Sequence, residues 1–143
     1  MHRIPYGERG QIGLIYPNTG WVMEPEMFAM TPEGVNIITT RVKLGAVTEE
    51  NARGLAEYVT DAARLLDEAC ADVIVLGCTS GSFICGPDYD REIIQKIQAA
   101  SSPHVKATTT ATAVIHAVDA FHATKIAVGT PYIEEINVPG RRF

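Results

Sequence analysis

Long apolar runs are missing from this sequence. Stretches such as Val73 to Leu76 are far too short to span a bilayer, so no membrane partner is expected. The opening segment, Met1 to Gly10, is polar and has no apolar h-region, which predicts no secretory signal. Cysteine is scarce: Cys70, Cys78 and Cys85 make an odd number with no CxxC pair. That argues against a disulfide framework and against a zinc site, and it fits reducing cytoplasm. His2, His104, His116 and His122 show no ligand spacing and read as surface residues or helix flanks. No GxGxxG or Walker motif is present, which weakens a nucleotide-binding reading. Basic residues number 12 against 17 acidic ones, a net charge of -5, and they are scattered. A nucleic-acid partner needs a basic stripe or patch, so none is expected. An anionic substrate would have to be captured by local donors rather than by the field of the whole chain.

What is present is an ordinary globular balance. Of 143 residues, 46% are apolar and 20% charged, enough for one domain with a sizeable core. There is no internal repeat, low-complexity tract or linker. Ile12 to Tyr16 (IGLIY) reads as a buried strand, and the β-branched Val35 to Thr40 (VNIITT) as a second. Thr48 looks like a helix N-cap, with Glu49 and Glu50 in the first turn. The helix should run to about Ala69. Ala52, Leu55, Ala56, Val59, Ala63 and Leu66 fall on its apolar face, opposite Glu57, Asp61, Arg64 and Glu68. Asp72 to Gly77 (DVIVLG) reads as a central parallel strand. Asp90 to Ala100 should be a helix with Ile93, Ile94 and Ile97 inward, and Val105 to Ala107 a short strand. Thr110 to Ala123 should be a helix with Val114, Ile115, Val118 and Phe121 inward, and Lys125 to Gly129 (KIAVG) the last strand. Strands alternating with helices predict a doubly wound, flavodoxin-like α/β fold with a parallel sheet and three αβα layers.

In such sheets ligands bind beyond the carboxyl ends of the strands. Three loops should lie there along one edge: Pro17-Asn18-Thr19-Gly20, Cys78-Thr79-Ser80-Gly81-Ser82 and Thr130-Pro131-Tyr132. The second says most. A thiol at the end of a central strand is followed by small hydroxyl residues and a glycine, which let backbone N–H groups converge as an anion-binding nest. That nest suits a carboxylate or an enediolate, and it predicts a lowered Cys78 pKa, making the thiol a base or nucleophile. The plain reading is a buried cysteine acting as a small hydrophobe. Cys70 and Cys85 read as structural. Asn18 either stabilises a turn or lines the pocket, and Tyr132 either packs or offers its hydroxyl. Thr108-Thr109-Thr110 reads as a strand end and helix cap that could border the site.

Leu14 to Met27 (LIYPNTGWVMEPEM), Val75 to Phe83 (VLGCTSGSF), Thr108 to Val114 (TTTATAV) and Val128 to Asn137 (VGTPYIEEIN) together resemble the maleate cis-trans isomerase and arylmalonate decarboxylase branch of the aspartate/glutamate racemase superfamily. The resemblance implies cofactor-independent chemistry, with no metal, nucleotide or organic cofactor, in a site between two flavodoxin-like halves. It implies that Cys78 is the first-half cysteine and Thr79 and Ser80 bind a substrate carboxylate. Tyr132 would donate its hydroxyl, and Pro17 and Asn18 would line the pocket. Arylmalonate decarboxylases have glycine in place of this cysteine, so Cys78 tilts the expectation towards isomerase or racemase chemistry on a maleate-like dicarboxylate.

Residues 1–143 then correspond to the N-terminal half of the family as one domain. After Asn137 the family continues as a helix, whereas Pro139 and Gly140 should break one here. With no counterpart of the second cysteine, this chain alone should not complete two-base racemisation. A non-catalytic carboxylate-binding domain and a self-associating domain, a homo-oligomer, are the competing expectations.

Overall fold

The computed structural model describes residues 6–46, 48–86 and 88–143. His2, like the start of the polar N-terminal stretch, lies outside the described residues. Four strands run parallel: β1 (Gly10–Pro17), β2 (Val35–Val42), β3 (Val73–Leu76) and β4 (Lys106–Thr109), in the order β2-β1-β3-β4. Six helices connect or follow them: α1 (Met23–Met30), α2 (Glu49–Glu68), α3 (Thr79–Phe83), α4 (Tyr89–Ala100), α5 (Thr110–Ala120) and α6 (Glu134–Gly140). The strand order reverses at β1, which places the topological switch point between β1 and β3.

One face of the sheet holds the main core. Ile15, Val42, Ile74 and Leu76 meet Leu55, Val59, Ala63 and Leu66 of α2 and Ile93 and Ile97 of α4. All six apolar-face positions foreseen for α2 are buried, and the four charged ones are exposed. The Thr48 hydroxyl accepts from the Asn51 N–H at 3.2 Å and caps the helix. Full burial of a Leu or Val side chain stabilises by about 1.5–3 kcal/mol, so the packed face outweighs local propensity in holding α2. The opposite face is thinner. Leu14, Tyr16 and Ile37 pack with Met23 and Met27 of α1, and α1 has no fully buried residue of its own.

Three expectations fail in the last third of the chain. Val114, Ile115 and Phe121 of the α5 region point outward, Phe121 at 84% exposure, and Val118 is only half-buried. Among the described residues of α5 only Ala111 is buried, because the helix leaves β4 directly and rests on α3 instead of lying back over the sheet. Lys125 to Gly129 is not a strand: Ile126 and Val128 are exposed, and no described strand pairs with the segment. Strand propensity records a fit to a pleated, half-buried surface, and here no neighbouring ladder supplies one. Finally, Pro139 and Gly140 do not break the helix but sit inside α6. A proline removes one donor from so short a helix, and packing compensates: Ile136 joins a small cluster with Phe83 and Ala111, against which Tyr132 and Phe143 pack.

Candidate active site

The carboxyl ends of β1 and β3 lie side by side at the switch point. Gly77 N–H donates to the Ile15 carbonyl at 2.8 Å, and the register that pairs Ile15 with Leu76 carries Pro17 level with Cys78. The two loops expected at one sheet edge are therefore neighbours.

Beyond β1, Pro17 is buried, and its carbonyl accepts from the Gly20 N–H at 3.0 Å and from Arg41. Asn18 is exposed overall, yet its polar groups are engaged: its N–H reaches the Val42 carbonyl and its Oδ1 accepts from the Leu44 N–H, both at 2.8 Å. It ties the end of β1 to the end of β2. Gly20 lies under the Tyr16 ring, where a Cβ would come within 2.3 Å of ring carbon. Arg41 stacks 4.7 Å over the same ring and pairs with Glu24.

Beyond β3, Cys78 has an extended backbone and precedes the five-residue α3. Its carbonyl accepts from both the N–H and the hydroxyl of fully buried Ser82. The nearby Gly81 N–H and Ser80 hydroxyl favour its thiolate form. Gly81 is required there, since a Cβ at that position would lie 2.7 Å from Sγ and 3.1 Å from Leu55 Cδ2. Cys78 is buried at 8% exposure, and burial pushes its thiol above the ordinary value. The two donors pull the other way without prevailing. The expected lowering is thus corrected: desolvation outweighs two hydrogen bonds in this setting. A thiol held protonated but met by two donors is suited to give a proton, or to act as a nucleophile once deprotonated.

Thr79 is half-buried, and its hydroxyl lies 3.1 Å from that of Thr110, which in turn contacts the Leu76 carbonyl at 3.5 Å. The threonine run after β4 therefore meets the cysteine loop. Tyr132 does not stand at the end of a strand, because Lys125 to Gly129 is outside the sheet. Its ring packs edge-on to Phe83, 6.3 Å between centroids, at the other end of α3 from Cys78. Its hydrogen bonds run through the backbone, to Thr130 and Asn137. Of the six residues singled out, Pro17 and the run Cys78-Thr79-Ser80 share the switch point, the polar groups of Asn18 turn to Val42 and Leu44 at the end of β2, and the Tyr132 ring packs on Phe83.

Two polar features escaped the sequence reading. Asp90, 2% exposed, accepts from the hydroxyls of Thr109 and Thr112. Arg41 closes over the loop after β1. A buried carboxylate beside a threonine-rich turn is signalled only by an acid that opens a helix near such a run. Cys85 is half-buried, with Sγ 3.6 Å from the Glu49 carbonyl, and it borders a cavity of about 250 Å³ with Glu49, Val138 and Arg142 that Cys78 does not line. Exposed Cys70 follows α2 with a left-handed backbone, φ 64°. His104, His116 and His122 are on the surface, as expected. No described helix is long and apolar enough to cross a membrane.

The arylmalonate decarboxylase family pattern matches residues 12–143, nearly the whole chain. The chain belongs to that family. It is 29% identical over 126 residues to arylmalonate decarboxylase of Bordetella bronchiseptica, covering 88% of this chain and 51% of that protein. It is 25% identical over 136 residues to maleate isomerase of Pseudomonas putida, covering 88% and 54% respectively. Among solved structures, a liganded double mutant of arylmalonate decarboxylase, with glycine replaced by cysteine and cysteine by serine, superposes with a TM-score of 0.81 at 31% identity, over 94% of this chain and 56% of its own. This family member thus spans about half the length of the curated relatives it matches. The racemase-type α/β fold expected from the sequence is the fold observed.

Proposed function

We propose that this chain supplies the Cys78 half of an active site for cofactor-independent isomerase, racemase or decarboxylase chemistry on a small carboxylate, with a maleate-like dicarboxylate as the favoured substrate class. The observation that carries this reading is the sulfur of Cys78 at the switch point of the sheet, at the start of α3 and closely approached by the backbone of Gly81. The family membership supports it, since the relatives are an arylmalonate decarboxylase and a maleate isomerase. In the isomerase version the Cys78 thiolate adds to one alkene carbon, and the π pair moves to the neighbouring carbon, conjugated with its carboxylate. Rotation about the resulting single bond follows, and expulsion of the thiolate restores the double bond in the trans arrangement. Thr79 and Ser80 hold the carboxylate, Pro17 and Asn18 line the pocket, and Tyr132 donates its hydroxyl. The test is mass-spectrometric labelling of Cys78 by iodoacetamide with and without maleate, alongside proton NMR of maleate turnover. Maleate-protected labelling supports the reading; a Cys78 that stays unlabelled, or is labelled equally fast with maleate present, overturns it.

A specific observation also favours self-association. Val114, Phe121, Ile126, Val128 and Ile133 are all exposed within one stretch of sequence, and β4 is at the edge of the sheet among the described strands. A second copy of the chain would cover this surface. Multi-angle light scattering reads the outcome: a dimer or larger species supports it, and a monomer across the micromolar range contradicts it.

A further inference from the structure

Asp90 takes no part in the chemistry described above, yet it is the most buried carboxylate among the described residues, at 2% exposure. It sits in the first turn of α4, and its two oxygens are divided. Oδ1 accepts from the hydroxyl of Thr109 and Oδ2 from that of Thr112. Those two threonines bracket the turn from β4 into α5. Thr109 is fully buried and caps α5, its hydroxyl oxygen accepting from the Thr112 N–H at 3.1 Å while its proton goes to Asp90. Between them stands Thr110, whose hydroxyl faces that of Thr79, the residue after Cys78.

We infer that Asp90 is a positioning residue for the candidate site, acting through Thr109, Thr112 and Thr110 on Thr79. This deepens the reading of Cys78 given above and rests on it. The physical case is one of constraint. A threonine hydroxyl can turn among three rotamers, and the turn between β4 and α5 has no other buried anchor of this kind among the described residues. Two charge-assisted hydrogen bonds, each worth more than a neutral one, fix both ends of the turn. The Thr110 hydroxyl is thereby held against Thr79, and Thr79 opens the helix whose Gly81 backbone closely approaches the sulfur. The carboxylate thus sets the frame from which the cysteine loop hangs, without touching a substrate.

The experiment uses the full chain carrying C70S and C85S, so that Cys78 is the sole thiol. Its alkylation rate by iodoacetamide is measured with and without maleate, in the parent and in Asp90→Ala, Asp90→Asn, Thr79→Ala and the Asp90→Ala/Thr79→Ala double variant. Asp90→Ala should change the ligand-free rate of Cys78 by threefold or more, and the nearly isosteric Asp90→Asn should fall between it and the parent. In the Thr79→Ala background the same substitution should add little, because the connection is already cut. A purely structural role would shift melting temperature equally in both backgrounds and give additive rate effects; that result overturns the inference. So does an unchanged rate in a folded Asp90→Ala or, if that variant does not fold, in Asp90→Asn. Absence of maleate protection in the parent is a separate outcome: it removes the carboxylate reading of the site, while the rate comparison still decides the role of Asp90.

Discussion

The hydroxyl oxygens of Thr79 and Thr110 lie 3.1 Å apart, joining the residue after Cys78 to the first turn of α5 across 31 positions of sequence. It links two loops that the pairing of β3 with β4, Leu76 opposite Thr109, already sets side by side. Thr110→Val keeps the shape and removes the hydroxyl. It should cost about 0.5–1.5 kcal/mol, because the half-buried Thr79 hydroxyl loses its partner. For a chain of this size that corresponds to a fall in melting temperature of roughly 2–6 °C. Thermal denaturation followed by circular dichroism checks it, with Thr110→Ser expected to retain most of the stability. An unaltered midpoint in the valine variant would show the contact to be energetically idle.

Gly81→Ala tests the close approach of backbone to sulfur. The added methyl would start 2.7 Å from Cys78 Sγ and 3.1 Å from Leu55, so either the sulfur or α3 must shift. Overpacking of this kind costs about 1–3 kcal/mol. The variant should melt lower and alkylate at Cys78 at a rate several-fold different from the parent, since the Gly81 N–H moves with its helix. Equal stability and equal reactivity would show that the loop has room that its geometry denies it.

These sensitivities mark where the sequence was legible. In α2 the apolar positions repeat at helical spacing from Ala52 to Leu66 behind a threonine cap, and period and cap agree with the observed helix to the residue at its start. The loop of Cys78 could be found because small hydroxyl residues at a strand end are unusual without a purpose. Lys125 to Gly129 shows the converse: its β-branched and apolar residues state a preference, but a strand also needs a neighbour, which no local pattern encodes. The apolar spacing of α5 marks a face but not its direction, because spacing does not say what lies opposite: Val114, Ile115 and Phe121 are exposed. Asp90 was invisible as a site residue because its partners, Thr109 and Thr112, are 19 and 22 positions away. The direction of the Cys78 pKa depends on a balance between burial and donors, and only coordinates weigh the two.

Tyr89 carries a second consequence of burial. Its hydroxyl donates to the Ala52 carbonyl at 2.6 Å, fastening α4 to α2. Burial first, then the nearby Cys85 and Glu92, push its pKa from 10.0 up to about 12, with Arg53 opposing. A raised value in the folded state means that the native chain holds this proton more tightly than the unfolded chain. The stabilisation is therefore complete below pH 10 and is lost as pH rises through about 12. Urea denaturation between pH 9 and 12 should show a steeper loss of stability in the parent than in Tyr89→Phe. The variant should be less stable at neutral pH by about 0.5–1.5 kcal/mol, since the Ala52 carbonyl loses its donor. Parallel pH profiles would remove Tyr89 from the account.

The thiol of Cys78 obeys the same sign with a chemical readout. Burial raises its pKa, so at neutral pH the folded chain holds it mainly as the proton-bearing form. Alkylation requires the thiolate, so its rate should climb with pH and reach half-maximum above the ordinary thiol value. The Ser80 hydroxyl stabilises the thiolate, hence Ser80→Ala should move that midpoint further up and slow alkylation at neutral pH. Maleate, if it settles beside the sulfur, adds negative charge and should move the midpoint in the same direction before it blocks access. Rates measured on the C70S/C85S background from pH 6 to 10.5 decide the matter. A midpoint below the ordinary thiol range would mean that donors prevail over burial and that the sulfur rests as a nucleophile. A midpoint above it, shifted up again by Ser80→Ala, would mean that the resting site is a proton donor and that nucleophilic attack must begin with loss of that proton.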